Sequence, residues 1–478
     1  MDNRLSAALW QQLWQGLRNS STPLPELKIN GEQALVSAYP VSELAATSIG
    51  LAAQATASLI GSAQPVELDA ALCARWFQHA LRPVKRPLPS LWDPLAGDYA
   101  TADGWVRLHT NAPHHRAAME QVLGQQTHRQ QLAAAVARWQ KVELEQAVVD
   151  AGGCAAALRS HSEWQQHPQG QSVSREALIE QTLQACGPGP TWRLFAARPL
   201  LGVRVLDLTR IIAGPVATRF LAGLGAEVLR LDPPDWQEPA LEEEVTLGKR
   251  CARLNLKSAE GRKRFEQLLG QCDVLVHGYR ADALSNLGYD AEALQALKPG
   301  LVDVSLNAWG WTGPWRNRRG FDSLVQMASG IAERGRLWQH SDAPVPLPVQ
   351  ALDHATGYMM AAAVLEGLRQ RLLHNTGFTA RLSLARTACL LTDAPYPQEA
   401  QPSGLGTRLP TDEDAEALIS SFGLSQRLRS PFWLPGTPLN WSHGPTKLGC
   451  DCARWQPDCP SRPQQQSAIA PSIRHARA

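Results

Sequence analysis

Short apolar runs alternate with helical patterns from Gly202 onward, and this alternation constrains the fold more than any other feature of the chain. Each run has the length of a buried strand, and a stretch of helical periodicity follows it. The predicted strands are 203–208, 227–232, 252–256, 273–276 and 301–306. The predicted helices are 216–224, one capped by Ser258, and 281–297. Such alternation predicts a mainly parallel α/β sheet with helices on both faces. Ligands of these sheets bind beyond the carboxyl ends of the strands.

Composition excludes several classes of protein. The 478 residues give room for two or three domains, and 44% hydrophobic with 19% charged residues is typical of a soluble globular chain. Lys plus Arg is 46 against 44 for Asp plus Glu, so nucleic acid is not expected as a partner. The nine cysteines are scattered without zinc spacing, which indicates a reducing, cytoplasmic environment and no metal site. No signal peptide is visible, and no apolar run approaches the roughly 20 residues needed to span a bilayer, so no membrane partner is expected.

Four segments are predicted along the chain. Residues 1–85 form a helical N-terminal segment, with helical patterns at 7–17 and 45–60. Residues 86–195 form a small α+β domain, with a hairpin at 99–109 that turns at Asp103-Gly104 and helices at 116–124 and 128–151. Residues 196–400 form the large α/β domain. Residues 401–478 are weakly patterned, and roughly the last 20 residues are expected to be disordered.

One stretch inside the large domain combines an acidic residue, a histidine and a glycine at the mouth of a helical pattern. It reads Gln350-Ala351-Leu352-Asp353-His354-Ala355-Thr356-Gly357-Tyr358. Asp353 has two interpretations. It is either an N-cap, because an Asp side chain accepts hydrogen bonds from the first free helix N–H groups, or a reactive carboxylate. The spacing alone leaves both open.

The turn after the first strand of the large domain is Thr209-Arg210-Ile211-Ile212-Ala213-Gly214-Pro215. It lacks the G-x-G-x-x-G fingerprint of dinucleotide binding. It still presents small residues at a helix N-terminus, where free N–H groups and the helix dipole favour an anion. A tight strand-to-helix turn without a ligand explains the same residues equally well.

An ordered series of short motifs over residues 202–395 resembles the class III CoA-transferases. This CaiB/BaiF-type family includes formyl-CoA transferase, carnitine CoA-transferase and α-methylacyl-CoA racemase. The matching pieces are Gly202–Arg210, Ala213-Gly214-Pro215, Leu224–Val228, Gly248-Lys249-Arg250, Leu254–Gly261, Asp273–Val276, Leu287-Gly288-Tyr289, Gly310–Pro314, Gly320–Gln326 and Ala351-Leu352-Asp353. The resemblance implies a Rossmann-like large domain with a smaller α+β domain, and an enzyme that moves CoA between an acyl-CoA and a carboxylic acid.

In this family the catalytic carboxylate is an Asp just ahead of a Gly and a helix, and Asp353 matches that position. The resemblance implies that Asp353 attacks the thioester carbonyl carbon to give an acyl-aspartyl anhydride and CoA thiolate, and that the thiolate then forms an aspartyl-CoA thioester. The chemistry needs an ionised, exposed carboxylate and donors for the oxyanion. The N–H groups around Ala355–Gly357 are the expected donors.

The other implied site residues have weaker support. His354 either orients the acyl group or is an ordinary core or surface histidine. Five positions match or neighbour CoA contacts of the family: Ile212, Ala213, Leu254, Lys257 and Arg319. CoA and acyl-CoA are expected as substrates, with no permanently bound cofactor.

This chain departs from the family pattern at two turns. It has Asp232-Pro233-Pro234 where relatives often carry Arg, and His277-Gly278 where an asparagine is common. The adenine and phosphate contacts therefore do not transfer as a set.

Two alternative functions stay open. The racemase branch uses an Asp/His pair to move a proton next to the thioester carbonyl, and its histidine falls at Phe321 here. A phenyl ring cannot exchange a proton, so racemisation requires His354 to substitute. A catalytically inactive CoA-binding protein is the second alternative, because the motifs are rearranged.

The order of the segments differs from that of the family. Residues 99–109, 151–156 and 163–168 resemble the family's small domain, which normally follows the large one, and 431–439 resembles its final segment. The chain is therefore interpreted as a truncated first copy joined to a second large domain. Since two chains of the family interlock as rings, we expect either a homodimer or a monomer completed within one chain.

Overall fold

The computed structural model describes residues 3–18, 22–31, 35–185, 189–394 and 408–456. In chain order the strands are β1 Leu27–Asn30, β2 Val66–Asp69, β3 Leu81–Pro83, β4 Gly97–Thr101, β5 Gly104–Leu108, β6 Ala155–Ala157, β7 Glu180–Ala185, β8 Arg204–Leu208, β9 Glu227–Asp232, β10 Lys249–Arg253, β11 Val274–His277, β12 Val302–Asn307, β13 Thr376–Ser383, β14 Leu418–Ser420, β15 Gly423–Arg427 and β16 Phe432–Trp433.

The helices are α1 Asn3–Leu17, α2 Val41–Ile60, α3 Ala70–Trp76, α4 Pro113–Leu123, α5 Arg129–Val136, α6 Lys141–Asp150, α7 His161–Gln166, α8 Pro168–Ser174, α9 Ala213–Gly223, α10 Glu242–Val245, α11 Ala259–Leu269, α12 Ala291–Leu297, α13 Asp322–Ala328, α14 Ile331–Trp338, α15 Ala351–His374 and α16 Leu384–Thr392.

A seven-stranded sheet in the order β10-β9-β8-β11-β12-β13-β7 forms the centre of the molecule. The first six strands are parallel, and β7 pairs with β13 in the antiparallel sense. The parallel strands are rich in Val and Leu because helices cover both faces. The predicted α/β class and mainly parallel sheet are confirmed.

Neighbouring residues of one strand face two different cores, as the two-residue period of a strand requires. Val205 of β8 packs in the larger core with α2, α9 and α15, whereas Leu206 packs in a second core with α11 and α12. α15 lies in the larger core, and 19 of its residues are buried. The carboxyl ends of the parallel strands lie at one edge of the sheet, and the start of α15 lies at this edge because α15 runs back towards the amino end of β13.

Residues 97–157 form a small unit with a core of its own. The hairpin β4-β5 pairs with β6, and α4, α5 and α6 cover this sheet. The predicted hairpin is present, but its two-residue turn is Ala102-Asp103, and Gly104 (φ +155°) is the first residue of β5. The strand β7 lies in the segment that the sequence assigns to the small domain, but it forms the edge of the large sheet.

The N-terminal and C-terminal parts of the chain pack together. β1 and β2 are parallel, and β16 pairs with β2 in the antiparallel sense. A third sheet joins β14, β15 and β3. The strands β1, β2 and β3 are absent from the mostly helical prediction for residues 1–85, because strands of three or four residues show no clear periodicity.

Three predicted elements have different bounds. The strand predicted at 252–256 is observed as β10, which begins and ends three residues earlier. The helix predicted at 281–297 is a 3₁₀ turn at Ser285–Leu287 followed by α12, because Gly288 adopts the left-handed conformation (φ +86°) that ends a helix. The helix predicted at 128–151 is divided into α5 and α6, and the start of α6 is fixed by the Asp103 carboxylate, which accepts from the Lys141 N–H at 2.7 Å.

The expected disordered tail lies outside the described residues. Within the described ranges, no helix is long and apolar enough to cross a membrane.

Candidate active site

Asp353 is the third residue of α15, and its side chain is 7% exposed. Its N–H donates to Asp322 Oδ2 at 2.9 Å, and the N–H of Leu352 also donates to the Asp322 carboxylate. Asp322 therefore caps α15 from the first residue of α13. This arrangement corrects one interpretation of the sequence: a carboxylate does cap α15, but the cap is Asp322 and not Asp353.

The expected oxyanion donors are not free. Since α15 begins at Ala351, the N–H groups of Ala355–Gly357 belong to its regular i→i−4 hydrogen bonding. The N–H of Ala351 donates to the Val349 carbonyl at 2.8 Å and that of His354 to the Gln350 carbonyl at 3.1 Å. The prediction that Ala355–Gly357 supply free donors is wrong for this conformation.

Both carboxyl groups have raised pKa values, and the charge of Asp322 contributes to the shift of Asp353. Burial raises the pKa of Asp322 to about 6, although hydrogen bonds from the Gln326 side chain and the two backbone N–H groups oppose the shift. Burial raises the pKa of Asp353 well above its ordinary value, and the neighbouring Asp322 charge raises it further. The sequence-based expectation of an exposed, ionised Asp353 therefore does not hold in this conformation, because burial favours the neutral acid.

The turn Thr209–Ile212 lies beside α15. A Cβ atom added at Gly357 would lie 2.4 Å from the Ala213 carbonyl oxygen, so only glycine permits this approach of α15 to α9. Ile211 adopts φ +69°, a conformation rarely accessible to a β-branched residue, and its N–H donates to Glu238 Oε2 at 3.0 Å. The structure thus brings Ile212 and Ala213, the first predicted CoA contacts, to within about one helical turn of Asp353.

A buried ion pair fixes the same turn. Lys249 Nζ lies 3.1 Å from Asp207 Oδ2, and both side chains are fully buried. The lysine also donates to the Pro215 carbonyl and to Thr218 Oγ1, and Asp207 accepts from Thr209. These bonds tie β8, the turn and the first two turns of α9 together.

Leu254 and Lys257 lie farther along the same edge. They follow β10, which is two strands from β8, a separation of about 10 Å. Leu254 lines a cleft of about 630 Å³ with Asn255, Ser258 and the segment 452–454. Lys257 is exposed beside this cleft.

Arg319 lies on the opposite flank, against the small unit. Its guanidinium donates to the Gly152 carbonyl at 3.3 Å. Burial lowers the pKa of His114, and the positive charges of Arg319 and Arg210 lower it further. The predicted CoA contacts therefore occupy three places around one edge of the sheet.

His354 points into the core on the α3 side. Its ring stacks on Phe77 at a centroid distance of 5.1 Å. Burial, followed by the Arg219 charge, lowers the pKa of His354 to about 3. This placement matches the interpretation of His354 as a core histidine.

Phe321 meets a histidine from another segment. His109 of the small unit stacks on the Phe321 ring with centroids 3.9 Å apart and planes 4° from parallel. Burial lowers the pKa of His109 to about 3, and that of neighbouring His115 to about 3 as well. A base this weak is poorly matched to removing a proton next to a thioester, so the stack gives little support to racemisation.

The sequence interpretation assigned no role to Asp322, His109 or Arg210. Arg210 lies between the rings of Trp236 and Tyr279, at 4.8 and 5.1 Å from their centroids. Asp322 stands in the motif Gly320-Phe321-Asp322 at the start of a helix, which is the signal that marks it. His109 carried no local signal, because its contact is between distant segments.

Comparisons with known proteins agree with the motif series. Residues 200–423 match the family model described as CoA-transferase family III. An acyl-CoA transferase from Gibberella moniliformis is 32% identical over 248 residues, 49% of this chain and 44% of the relative. A succinyl-CoA:glutarate CoA-transferase from Mus musculus is 33% identical over 208 residues, 40% of this chain and 47% of the relative.

A formyl-CoA:oxalate CoA-transferase from Escherichia coli is 28% identical over 40% of this chain and 49% of its own. A crystal structure of a CaiB/BaiF family protein from Brucella suis is 25% identical, covers 48% of this chain and 65% of that chain, and superposes with a TM-score of 0.37. The chain spans about half the length of the curated relatives it matches. The match to CoA-transferase family III thus spans residues 200–423, a little under half of the chain.

Proposed function

We propose that the protein transfers CoA between an acyl-CoA thioester and a carboxylic acid, with Asp353 as the reacting carboxylate. The observation that carries the proposal is the buried Asp322–Asp353 pair at the carboxyl edge of a family III sheet. Relatives named as succinyl-CoA:glutarate and formyl-CoA:oxalate CoA-transferases support dicarboxylic and short acids as the substrates to test first.

The proposed reaction proceeds through acyl transfers at Asp353. A carboxylate oxygen attacks the thioester carbonyl carbon, the C–S bond breaks, and CoA leaves as thiolate beside a mixed anhydride. The thiolate then attacks the Asp353 carbonyl carbon of the anhydride, which releases the donor acid and leaves an aspartyl-CoA thioester. The acceptor carboxylate repeats these two steps in reverse, so that the acceptor leaves as its CoA thioester and Asp353 is regenerated.

Burial of Asp353 serves this chemistry in one respect and opposes it in another. It excludes water, which would hydrolyse the anhydride. It also raises the pKa of Asp353, so the reactive anion forms at higher pH than for an ordinary aspartate. We therefore expect the rate to rise with pH on its acid side, above the range in which an exposed aspartate ionises.

The proposed CoA site follows the edge of the sheet. Ile212 and Ala213 lie closest to Asp353 and are assigned to the thioester end, whereas Leu254 and Lys257 are assigned to the nucleotide end. Arg319 is assigned an auxiliary contact with an anionic part of the substrate. Lys257→Ala should raise KM for acyl-CoA several-fold and leave kcat nearly unchanged, because an exposed lysine contributes to binding and not to the reaction at Asp353.

The test of the function uses succinyl-CoA with glutarate, followed by mass spectrometry for glutaryl-CoA and for a CoA adduct on the peptide that contains Asp353. The wild type should form both. Asp353→Asn should form neither while keeping its circular dichroism spectrum, and Asp393→Asn, at an exposed position, should behave as the wild type. Full transfer by Asp353→Asn would refute the assignment. The same assay with a panel of other acids identifies the substrates.

A further inference from the structure

The part of the chain that carries Asp353 occurs twice. β12 is parallel to β13, which pairs in the antiparallel sense with β7. In the same arrangement, β1 is parallel to β2, which pairs in the antiparallel sense with β16. The helix α15 precedes β13 and α16 follows it, just as α2 precedes β2 and α3 follows it.

The two copies agree in backbone detail at the start of the long helix. The N-cap of α2, Pro40, has φ −75° and ψ 63°, and the N-cap of α15, Gln350, has φ −75° and ψ 67°. In both helices the first N–H donates to the carbonyl two residues back at 2.8 Å. The fourth N–H donates to the N-cap carbonyl, at 2.9 Å in α2 and 3.1 Å in α15.

The copies also agree after the strand. Asp69 ends β2 and caps α3 by accepting from the Leu72 N–H at 2.9 Å. Ser383 ends β13 and caps α16 by accepting from the Arg386 N–H at 3.1 Å. The strand–helix–strand–helix order, the helix starts and the caps all match, and this indicates a repeated unit and not chance similarity of one element. The antiparallel edge strands differ in chain position, because β7 precedes its copy and β16 follows its copy.

The repeat gives Asp353 a counterpart. The third residue of α2 is Glu43, the acidic residue of its first turn, as Asp353 is in α15. Glu43 is only 1% exposed. In the described part of the N-terminal copy the sheet has three strands, and nothing there corresponds to β8–β11, whose loops form the edge beside Asp353.

The two long helices pack against each other. α2 lies along α15, and both helices are rich in alanine and buried on nearly all sides. Packing of one element against its own counterpart is the geometry of an isologous dimer interface, in which the same surface is used by both partners. Here both partners belong to one chain.

We propose that the described parts of residues 27–77, together with β16, are a degenerate second copy that takes the place of a second subunit, so that the protein acts as a monomer with one reactive carboxylate. Glu43 occupies the position that corresponds to Asp353 but does not react with the thioester. Only the count of reactive carboxylates rests on the proposed function; the replacement of a second subunit does not.

The experiment combines native mass spectrometry of the full chain with adduct mapping after incubation with succinyl-CoA. We expect a species of 52.1 kDa, one CoA adduct per chain on Asp353, and none on Glu43. A stable dimer would refute the claim that the second copy replaces a second subunit. A CoA adduct on Glu43 would refute the claim that each chain has one reactive carboxylate. If no adduct forms at all, the proposed function fails, whereas the native mass still decides the replacement of a second subunit.

A variant provides a second test. Glu43→Gln keeps the size of the side chain, and its kcat and KM should match those of the wild type. A tenfold loss of kcat with an unchanged unfolding midpoint would show that Glu43 takes part in turnover and would overturn the proposal. If the variant does not fold, adduct mapping of the wild type remains decisive.

Discussion

Replacement of Asp322 by Asn should change the stability of the protein in opposite directions at low and at neutral pH. Asn keeps an oxygen that accepts from the N–H groups at the start of α15, but it cannot ionise. In the wild type the pKa of Asp322 in the folded chain is about 6, against an ordinary value of 3.8. A carboxyl group with a raised pKa holds its proton more tightly in the folded state, so stability is lost as the pH rises from about 4 to about 6.

The magnitude follows from the size of the shift. A difference of about two pKa units, at about 1.4 kcal/mol for each unit, gives roughly 3 kcal/mol of stability lost by the wild type across this window. The variant avoids this loss. It gives up one hydrogen bond, because the Gln326 amide donates to one oxygen of Asp322, and such a bond contributes about 1 kcal/mol. Asp322→Asn should therefore be about 1 kcal/mol less stable at pH 4 and about 2 kcal/mol more stable at pH 7.5.

Urea unfolding of both proteins at several pH values between 4 and 7.5 measures the difference. Asp393→Asn, at an exposed site, serves as the control and should show no crossing. Removal of the Asp322 charge also lowers the pKa of Asp353, so the acid limb of the CoA-transfer rate should move to lower pH in the same variant. A stability difference that stays constant from pH 4 to pH 7.5 would show that Asp322 ionises normally and would refute the reasoning.

Three further predictions concern packing around the site. Lys249→Met should lower the free energy of unfolding by about 3–5 kcal/mol, because it leaves a buried carboxylate unpaired, whereas Lys257→Met at an exposed position should change it little. Gly357→Ala should reduce both the unfolding midpoint and the transfer rate, because its Cβ would lie 2.4 Å from a carbonyl oxygen of α9; Gly270→Ala, with 3.4 Å to its nearest neighbour, should be tolerated. His109→Phe should keep the ring stack with Phe321 and the CoA-transfer rate at pH 6–8, because a histidine with a pKa of about 3 is already neutral in this range. A large loss of rate in a steady-state assay would contradict a packing role for His109.

The sequence predicted those parts of the fold that depend on local pattern. The strands near 203–208 and 227–232 and the Ser258 cap follow from apolar periodicity and capping chemistry within a few residues. Gly288, by contrast, ended a predicted helix through a left-handed conformation that composition alone does not impose.

The candidate site could be predicted only in part. Asp353 could be predicted because a helix start and a series of short motifs are visible in the sequence without knowledge of contacts between distant residues. Its cap by Asp322 joins residues 31 apart in sequence, and the contact of His109 with Phe321 joins two separate units. The pKa of Asp353 depends on both burial and this cap, so its protonation state could not be read from the stretch around it.

The position of β7 has a mechanical consequence. Because β7 is hydrogen-bonded to β13 at the edge of the large sheet, the chain that leaves the small unit passes through α7 and α8 and ends in a strand of that sheet. The other connection of the small unit runs from β3, which belongs to a separate sheet, to β4. Both ends of the small unit are therefore continuous with segments that end in paired strands. The contact of His109 with Phe321, and the buried ion pair of Glu145 with Arg318, are thus made by a unit that is held from two directions and not by a freely hanging domain.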